Sequence, residues 1–170
     1  MRIHDRAPRV RFAGAACLLA ATLLLGAVRG AQARSPEPLS AFPQQLLSIR
    51  TASGRVINFK IWVADTPARE EQGLMFVRHM DEHAGMLFLF SGADPIYMWM
   101  KNTIMPLDMV FIDARGRISG IAARREPFSL DLIDAPAHTR AVLELVGGAG
   151  ARFGIRVGDA VLSEALKSGG

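Results

Sequence analysis

The sequence predicts one mostly-β domain, a small barrel or sandwich with one or two short helices. Three observations support this fold class. Short apolar stretches alternate with polar side chains at the period of two that is typical of strands. Turn residues such as Gly, Pro, Asn and Asp separate about eight of these stretches at regular spacing. Very few stretches suit a helix.

The N-terminal segment, residues 1–33, is predicted to be a secretory signal peptide. Four arginines precede an apolar run at residues 12–28, and the small-residue motif Ala31-Gln32-Ala33 follows it. We therefore predict cleavage after Ala33 and a periplasmic or secreted protein. The length of the apolar run is at the lower limit for a membrane span. An uncleaved anchor is the alternative, and it would be the only contact with a membrane.

Removal of this segment changes the charge of the chain. Residues 1–33 contain five Arg and one Asp, which accounts for the formal net charge of +4. Residues 34–170 contain equal numbers of basic and acidic side chains, a balance that does not support nucleic-acid binding. The only cysteine, Cys17, also leaves with the signal, which excludes disulfides and thiol chemistry from the mature chain.

The mature chain begins with a leader and a hairpin. Residues 34–45 contain three prolines and predict a flexible leader. Residues 46–50 and 56–63 predict two strands, because Ser53-Gly54 supplies the turn of a β-hairpin. The domain is predicted to cover residues 46–163.

Helix and strand signals continue along the domain. Thr66 suits an N-cap, Pro67 suits the first helical position and Gly73 suits the end of a helix of about two turns. The remaining strands are predicted at residues 85–90, 96–102, 107–112, 117–123, 140–146 and 157–162. A short helical turn is expected within residues 147–154, and residues 164–170 are expected to fray.

The most informative stretch covers residues 96–113. Its alternation divides the side chains into two sets, Tyr97, Trp99 and Lys101 against Met98, Met100 and Asn102. The chain then turns at a Met-Pro pair and continues as a second apolar strand. Lys101, Asn102 and Asp108 are therefore polar residues at the ends of apolar strands, where function is often located.

Several motifs occur together in one order along the mature chain. They are Gly73-Leu74-Met75, residues 85–88, 99–103, 106–108, 142–144 and 154–159. This pattern, over roughly residues 49–162, resembles the uncharacterised bacterial and archaeal family called domain of unknown function 192 (DUF192). The resemblance implies a compact jelly-roll-like β domain that is often exported, and it implies no activity. One departure is Val77, where the family usually has a basic residue; Arg78 follows it.

A site for a small polar or anionic ligand is the main functional hypothesis. Lys101 would supply a cation, Asn102 an amide donor and Asp108 an acceptor. Tyr97 or Trp99 would form the apolar wall of the site. The same Asn and Asp side chains would also suit a purely structural role in the turn between the strands.

Glu144 is the second candidate site residue. It alternates with Val142 and Val146 on a predicted strand, so its side chain should point inward. A buried carboxylate needs a partner, and Lys101 or Arg78 could supply one. Glu144 is thus either half of a structural ion pair or a site carboxyl with a shifted pKa.

Other function classes remain open at this stage. Asp108 and Glu144 could act as the acid and base of a hydrolase or lyase, provided that they share one cleft. The sequence lacks the G-x-S-x-G, P-loop and H-E-x-x-H motifs, which argues against an enzyme without excluding one. An envelope protein that binds a partner through an exposed strand edge is a further alternative.

Metal handling is the last alternative. Met98 and Met100, with His79 and His83, could bind copper in an exported protein. Methionines on a strand more often fill a core, and these histidines suit a solvated loop. We therefore predict no metal site and no cofactor, and the oligomeric state is left open.

Overall fold

The computed structural model describes residues 35–90 and 94–168. The predicted signal peptide, residues 1–33, lies outside the described residues. No helix within the described ranges is long and apolar enough to cross a membrane.

Within these ranges the chain forms nine strands, three short α-helices and one 3-10 helix at Leu39–Ala41. The strands are β1 Gln44–Arg50, β2 Val56–Ala64, β3 Ala84–Leu89, β4 Tyr97–Met98, β5 Leu107–Asp113, β6 Ile118–Arg125, β7 Ile133–Asp134, β8 Thr139–Val146 and β9 Ala160–Ser163. The helices are α1 Pro67–Gln72, α2 Ala149–Phe153 and α3 Glu164–Ser168.

Seven of the strands form one mixed sheet in the order β6-β5-β8-β3-β2-β1-β9. All neighbours are antiparallel except β2 and β3, which are parallel and are joined by the crossover that contains α1. Strands β4 and β7 form a separate pair. A single bridge between Arg117 and Ala160 connects the two edges of the large sheet at one end. The mostly-β, single-domain prediction is confirmed, and its architecture is one large mixed sheet rather than a closed barrel.

The central strands are buried on both faces of this sheet. Side chains on one face form the main core, and we call it the main-core face; in β5 and β8 they are Val110, Ile112, Ala141, Leu143 and Leu145. Alternate side chains enter a second cluster on the opposite face, which we call the recess face; they are Leu107, Met109, Phe111 and Val142. The recess face is covered by β4, β7 and the segment that follows α1.

Local signals account for the first half of the domain. The predicted hairpin is present as β1 and β2, and Gly54 adopts a φ of 84° in its turn. The Thr66 hydroxyl accepts a hydrogen bond from the Arg69 N–H at 3.3 Å, as expected for an N-cap, and Gly73 is the C-cap of α1.

Three segments differ from the sequence-based expectation. The predicted flexible leader contacts the domain from Glu37 onward, because Glu37 exchanges two 2.7 Å hydrogen bonds with Gln72 and Phe42 is buried. The predicted frayed tail contains α3, whose Ala165 packs into the main core. The predicted strand at residues 96–102 is reduced to the short β4, because the chain turns after Met100.

Candidate functional site

A small recess opens on the recess face of the sheet, between α1, β4 and β8. Its volume is about 100 Å³, which is room for about three water molecules. Its lining residues are Glu70, Glu71, Gln72, Gly73, Leu74, Met75, Phe88, Phe90, Tyr97, Met98, Trp99, Lys101, Thr103 and Glu144. The recess is smaller than a typical drug-sized pocket. It therefore suits either a very small molecule or one end of a longer one.

Glu144 is the buried ionisable group of this recess. Its position in β8 places it beside Met86 of β3 and Met109 of β5, so apolar side chains flank it on both sides. The residue is only 4 % exposed, and no other described residue forms a hydrogen bond or ion pair with its carboxyl. Burial raises the pKa of the Glu144 carboxyl from 4.5 to about 8. At neutral pH this group is therefore mostly an uncharged acid.

Aromatic side chains and a lysine form the opposite wall. Tyr97 and Trp99 are 54 % and 40 % exposed, whereas Met98 and Met100 between and beyond them are buried. The Lys101 ammonium lies 4.7 Å from the centre of the Trp99 ring, a cation–π contact. The predicted alternation of this stretch is therefore present even where the regular strand has ended.

The end of α1 forms the third side of the recess. Gly73 allows the end of α1 to lie close to Phe88 of β3, because a Cβ at its position would lie 3.1 Å from the Phe88 ring. Its φ of 49° also favours glycine. Glu70 and Glu71 precede it in α1 and face the recess from the helix. Burial, with a smaller contribution from Asp65, raises the pKa of the Glu70 carboxyl.

Asp108 has a different environment from the one that its sequence neighbours suggested. It is 1 % exposed and lies on the main-core face, because it pairs with Leu145 rather than with Glu144. Its Oδ1 accepts from the backbone N–H groups of Arg124 and Gly148, and its Oδ2 accepts from that of Gly150, all at 2.8 Å. These three bonds fix the start of α2 and the end of β6, which is a structural role.

Asn102 and Arg78 also lie away from the recess lining. Asn102 occupies a left-handed turn position with a φ of 56°, and its backbone carbonyl accepts from Phe76 N–H at 2.9 Å. Its side-chain amide contacts the Met75 sulfur at 3.7 Å. Arg78 is exposed, and Val77 before it packs against the second cluster. The ion pair predicted for Glu144 with Lys101 or Arg78 is absent among the described residues.

The structure therefore brings together four of the seven predicted ligand-binding residues. Tyr97, Trp99, Lys101 and Glu144 share the recess, whereas Asn102, Asp108 and Arg78 do not line it. The acid–base pair hypothesis required one cleft for Asp108 and Glu144. Because these residues lie on opposite faces of the sheet, the structure contradicts that arrangement.

The residues proposed for copper have other surroundings. Met98 and Met100 are buried in the second cluster, where their thioethers pack against apolar side chains. His83 Nδ1 lies 3.0 Å from the Asn58 carbonyl, and its ring contacts Phe153. Across the described ranges, no three His, Cys, Asp or Glu side chains are grouped so as to hold a metal ion.

Glu70 and Glu71 were missed as site residues. No local pattern singles them out, because they are two of several charged residues in a short helix. The only signal was their position just before the Gly73-Leu74-Met75 motif. Their approach to Glu144 depends on the crossover between β2 and β3, which is a tertiary feature.

Comparison with known proteins identifies the family. The model of the DUF192 family, described as "Uncharacterized ACR", matches residues 48–163, which is most of the chain. The chain belongs to the DUF192 family. No curated protein matches it at a significant level. The family assignment confirms the resemblance read from the sequence motifs and supplies no activity.

Two solved structures are similar to this DUF192 chain. A Sinorhizobium meliloti 1021 protein, described as a "putative transcription regulator", is 39% identical with a TM-score of 0.70, over 72% of this chain and 95% of that one. A protein of unknown function from Novosphingobium aromaticivorans DSM 12444 is 36% identical with a TM-score of 0.70, over 78% of this chain and 94% of that one.

Proposed function

We propose that this DUF192 protein is an exported domain that binds a small ligand in the recess between α1, β4 and β8. The observation that carries the proposal is the Glu144 carboxyl, which is more than nine-tenths buried, has no partner among the described residues and lines a cavity. Burying an unpartnered polar group costs free energy, and a ligand that supplies the missing hydrogen bond would recover it. Among the described residues, Arg125 Nε is the one fully enclosed side-chain N or O atom without a partner, so the Glu144 oxygens are open to the recess, where a ligand can reach them.

The shape of the site supports a ligand that inserts one end. The recess volume of about 100 Å³ accepts only a few non-hydrogen atoms. The exposed rings of Tyr97 and Trp99 beside it would cover the next part of a longer molecule. The proposed site therefore includes Lys101, as the sequence predicted, and does not include Asn102 or Asp108.

Two larger depressions are weaker candidates. Their volumes are about 520 and 640 Å³, and both are lined by Asp94, Pro95 and Ile96. Among the described residues that line them, none is a buried charged side chain. They lack the unpartnered buried group that distinguishes the recess.

The binding proposal is tested with probes that match the recess in size. We would titrate n-propylamine, n-propanol, propionamide and propionate into a Trp62→Phe protein, in which Trp99 is the only remaining tryptophan. Four or five non-hydrogen atoms give at best about −6 to −7.5 kcal/mol, a Kd of roughly 3 to 40 micromolar. Because most ligands bind well below this upper bound, the titration must extend to roughly 100 mM. We expect at least one probe to change Trp99 emission saturably.

The matched control separates the recess from the rest of the surface. Glu144→Gln should alter the Kd of the bound probe by about tenfold or more, because it replaces the group that contacts the inserted end. Glu126→Gln should leave the Kd unchanged, since Glu126 is exposed and is not part of the recess lining. An absence of saturable binding for every probe, or equal responses in both variants, would contradict the proposal.

Export is the second component of the proposal and has its own test. It rests on the basic start, apolar run and Ala31-Gln32-Ala33 motif of the sequence. The mass of the protein recovered from the periplasm or the medium should correspond to a chain that begins at Arg34. Recovery of the full-length chain from the membrane fraction would instead support the uncleaved anchor.

A further inference from the structure

The charge of the recess lining favours a cation. Among its described residues, Glu70, Glu71 and Glu144 supply three carboxyl groups, whereas Lys101 supplies one ammonium group. None of these three carboxyls forms an ion pair with Lys101. An anionic ligand would face Glu70 and Glu71 at the mouth of the recess. The sequence-based hypothesis named a small polar or anionic ligand, whereas the carboxyl groups of the recess favour a ligand of positive charge.

We propose that the recess binds a primary alkylammonium group, whose N–H donors pair with Glu144 and whose alkyl chain crosses Trp99. This inference rests on the proposed function, since it names the ligand class of the same site. A carboxylate accepts hydrogen bonds and has no donor, so an ammonium group with three N–H donors is complementary to it. The walls formed by Leu74 and Phe88 suit the methylene groups of the same ligand.

The chain itself shows that this wall accommodates an ammonium group. Lys101 is a tethered primary amine, and its Nζ lies 4.7 Å from the centre of the Trp99 ring. Its aliphatic stem and cationic end have the chemistry inferred for the ligand. Because Lys101 forms no ion pair with Glu144, the carboxyl remains available for a second ammonium group. Lys101 would repel that group, so its removal should strengthen binding.

Binding of an amine changes the proton count of the site in a defined way. Below pH 8 the ligand is an ammonium ion and Glu144 is mostly an uncharged acid. Formation of the ammonium–carboxylate pair therefore releases the Glu144 proton to solvent, and no other bond is formed or broken. The remaining charged or titratable groups that line the recess are Glu70 and Glu71 from α1, Tyr97 from β4 and Lys101. The neighbouring strands supply uncharged Met86 and Met109.

The test compares n-propylamine with n-propanol, propionate and tetramethylammonium, using Trp99 emission in the Trp62→Phe protein. We expect n-propylamine to bind more tightly than the other three probes, of which tetramethylammonium has the charge but no N–H donor. Its affinity should rise nearly tenfold per pH unit from pH 6 to 7 and level off above pH 8. Calorimetry in two buffers of different ionisation enthalpy should show release of nearly one proton at pH 7.

Two variants complete the test. Lys101→Met should tighten n-propylamine binding several-fold, whereas it should weaken propionate binding if the site is instead anionic. Glu144→Gln should remove the proton release and the rise in affinity with pH. Tighter binding of n-propanol or propionate than of n-propylamine would overturn the ammonium inference and leave the binding site in place. No binding of any probe would overturn both proposals.

Discussion

Asp108 and Glu144 are two buried carboxyls on adjacent strands, and their surroundings are opposite. Asp108 accepts three backbone hydrogen bonds on the main-core face. Glu144 lies on the recess face and accepts none from the described residues. Their registers in the sheet differ by one residue, since Asp108 pairs with Leu145 and Glu144 pairs with Met109. Neighbouring residues on a strand point to opposite faces, so the two carboxyls have different surroundings. Burial alone therefore does not identify a functional carboxyl; the number of its partners does.

The largest expected effect tests the structural half of this comparison. Asp108→Ala should reduce the free energy of unfolding by about 3–5 kcal/mol, because three backbone N–H groups, two of them in buried hydrogen bonds, lose their acceptor. Urea unfolding at pH 7 measures the loss. The exposed control Asp131→Ala should change it by less than about 0.5 kcal/mol. A loss below about 1 kcal/mol for Asp108→Ala would show that these bonds are dispensable.

The pH dependence of stability tests the other carboxyl of this comparison, Glu144. The Glu144 pKa is about 8 in the folded protein against 4.5 ordinarily, so the folded state binds more protons between these values. Stability contributed by the protonated group is therefore present below about pH 4.5 and decreases as pH rises to 8, by at most about 1.4 kcal/mol per unit. Glu144→Gln should remove this decrease, and Glu126→Gln should keep it. Parallel curves for wild type and Glu144→Gln, from urea unfolding at pH 5 to 8, would contradict the assignment.

A glycine pair sharpens the account of Asp108. Gly148→Ala should cost about 1–2 kcal/mol, because the φ of 86° disfavours a side chain and a Cβ would lie 2.9 Å from the Arg124 guanidinium. Gly54 has nearly the same φ of 84° and no heavy atom within 4 Å of a Cβ. Gly54→Ala therefore measures the backbone strain alone. If thermal unfolding gives equal losses for both variants, the Gly148–Asp108 bond is insensitive to this substitution.

The smallest expected effect concerns the wall of the recess. Lys101→Met should reduce the free energy of unfolding by only about 0.5–1 kcal/mol, through loss of the contact between its ammonium and the Trp99 ring. Trp99 emission in the Trp62→Phe protein should shift at the same time. Lys60→Met provides the exposed control on β2, and it should change neither quantity. A loss greater than that of an exposed cation–π contact, above about 2 kcal/mol, would indicate that Lys101 has a structural role.

Local signals predicted much of the fold and part of the site. Alternation alone placed Glu144 inward and separated Tyr97 and Trp99 from the buried methionines, because the face of a residue depends only on its own strand. The partners of Asp108 could not be predicted in this way. Its acceptor atoms contact N–H groups that are 16, 40 and 42 residues away, and these contacts depend on loop geometry and on the pairing of β5 with β8. Asp108 is near Lys101 in the sequence, which suggested that the two share a site. The alternation of side chains along β5 instead places Asp108 on the main-core face, away from the recess.

The position of the last strand has a consequence for the proposed export of the chain. Strand β9 pairs with β1, and the Ala165 N–H donates to the Gln45 side chain across 120 residues. Contacts between such distant segments form slowly, because a long loop must close first. The sheet therefore cannot be completed while its C-terminal part is still on the ribosome. Such a delay would leave the translocation machinery time to thread an extended polypeptide.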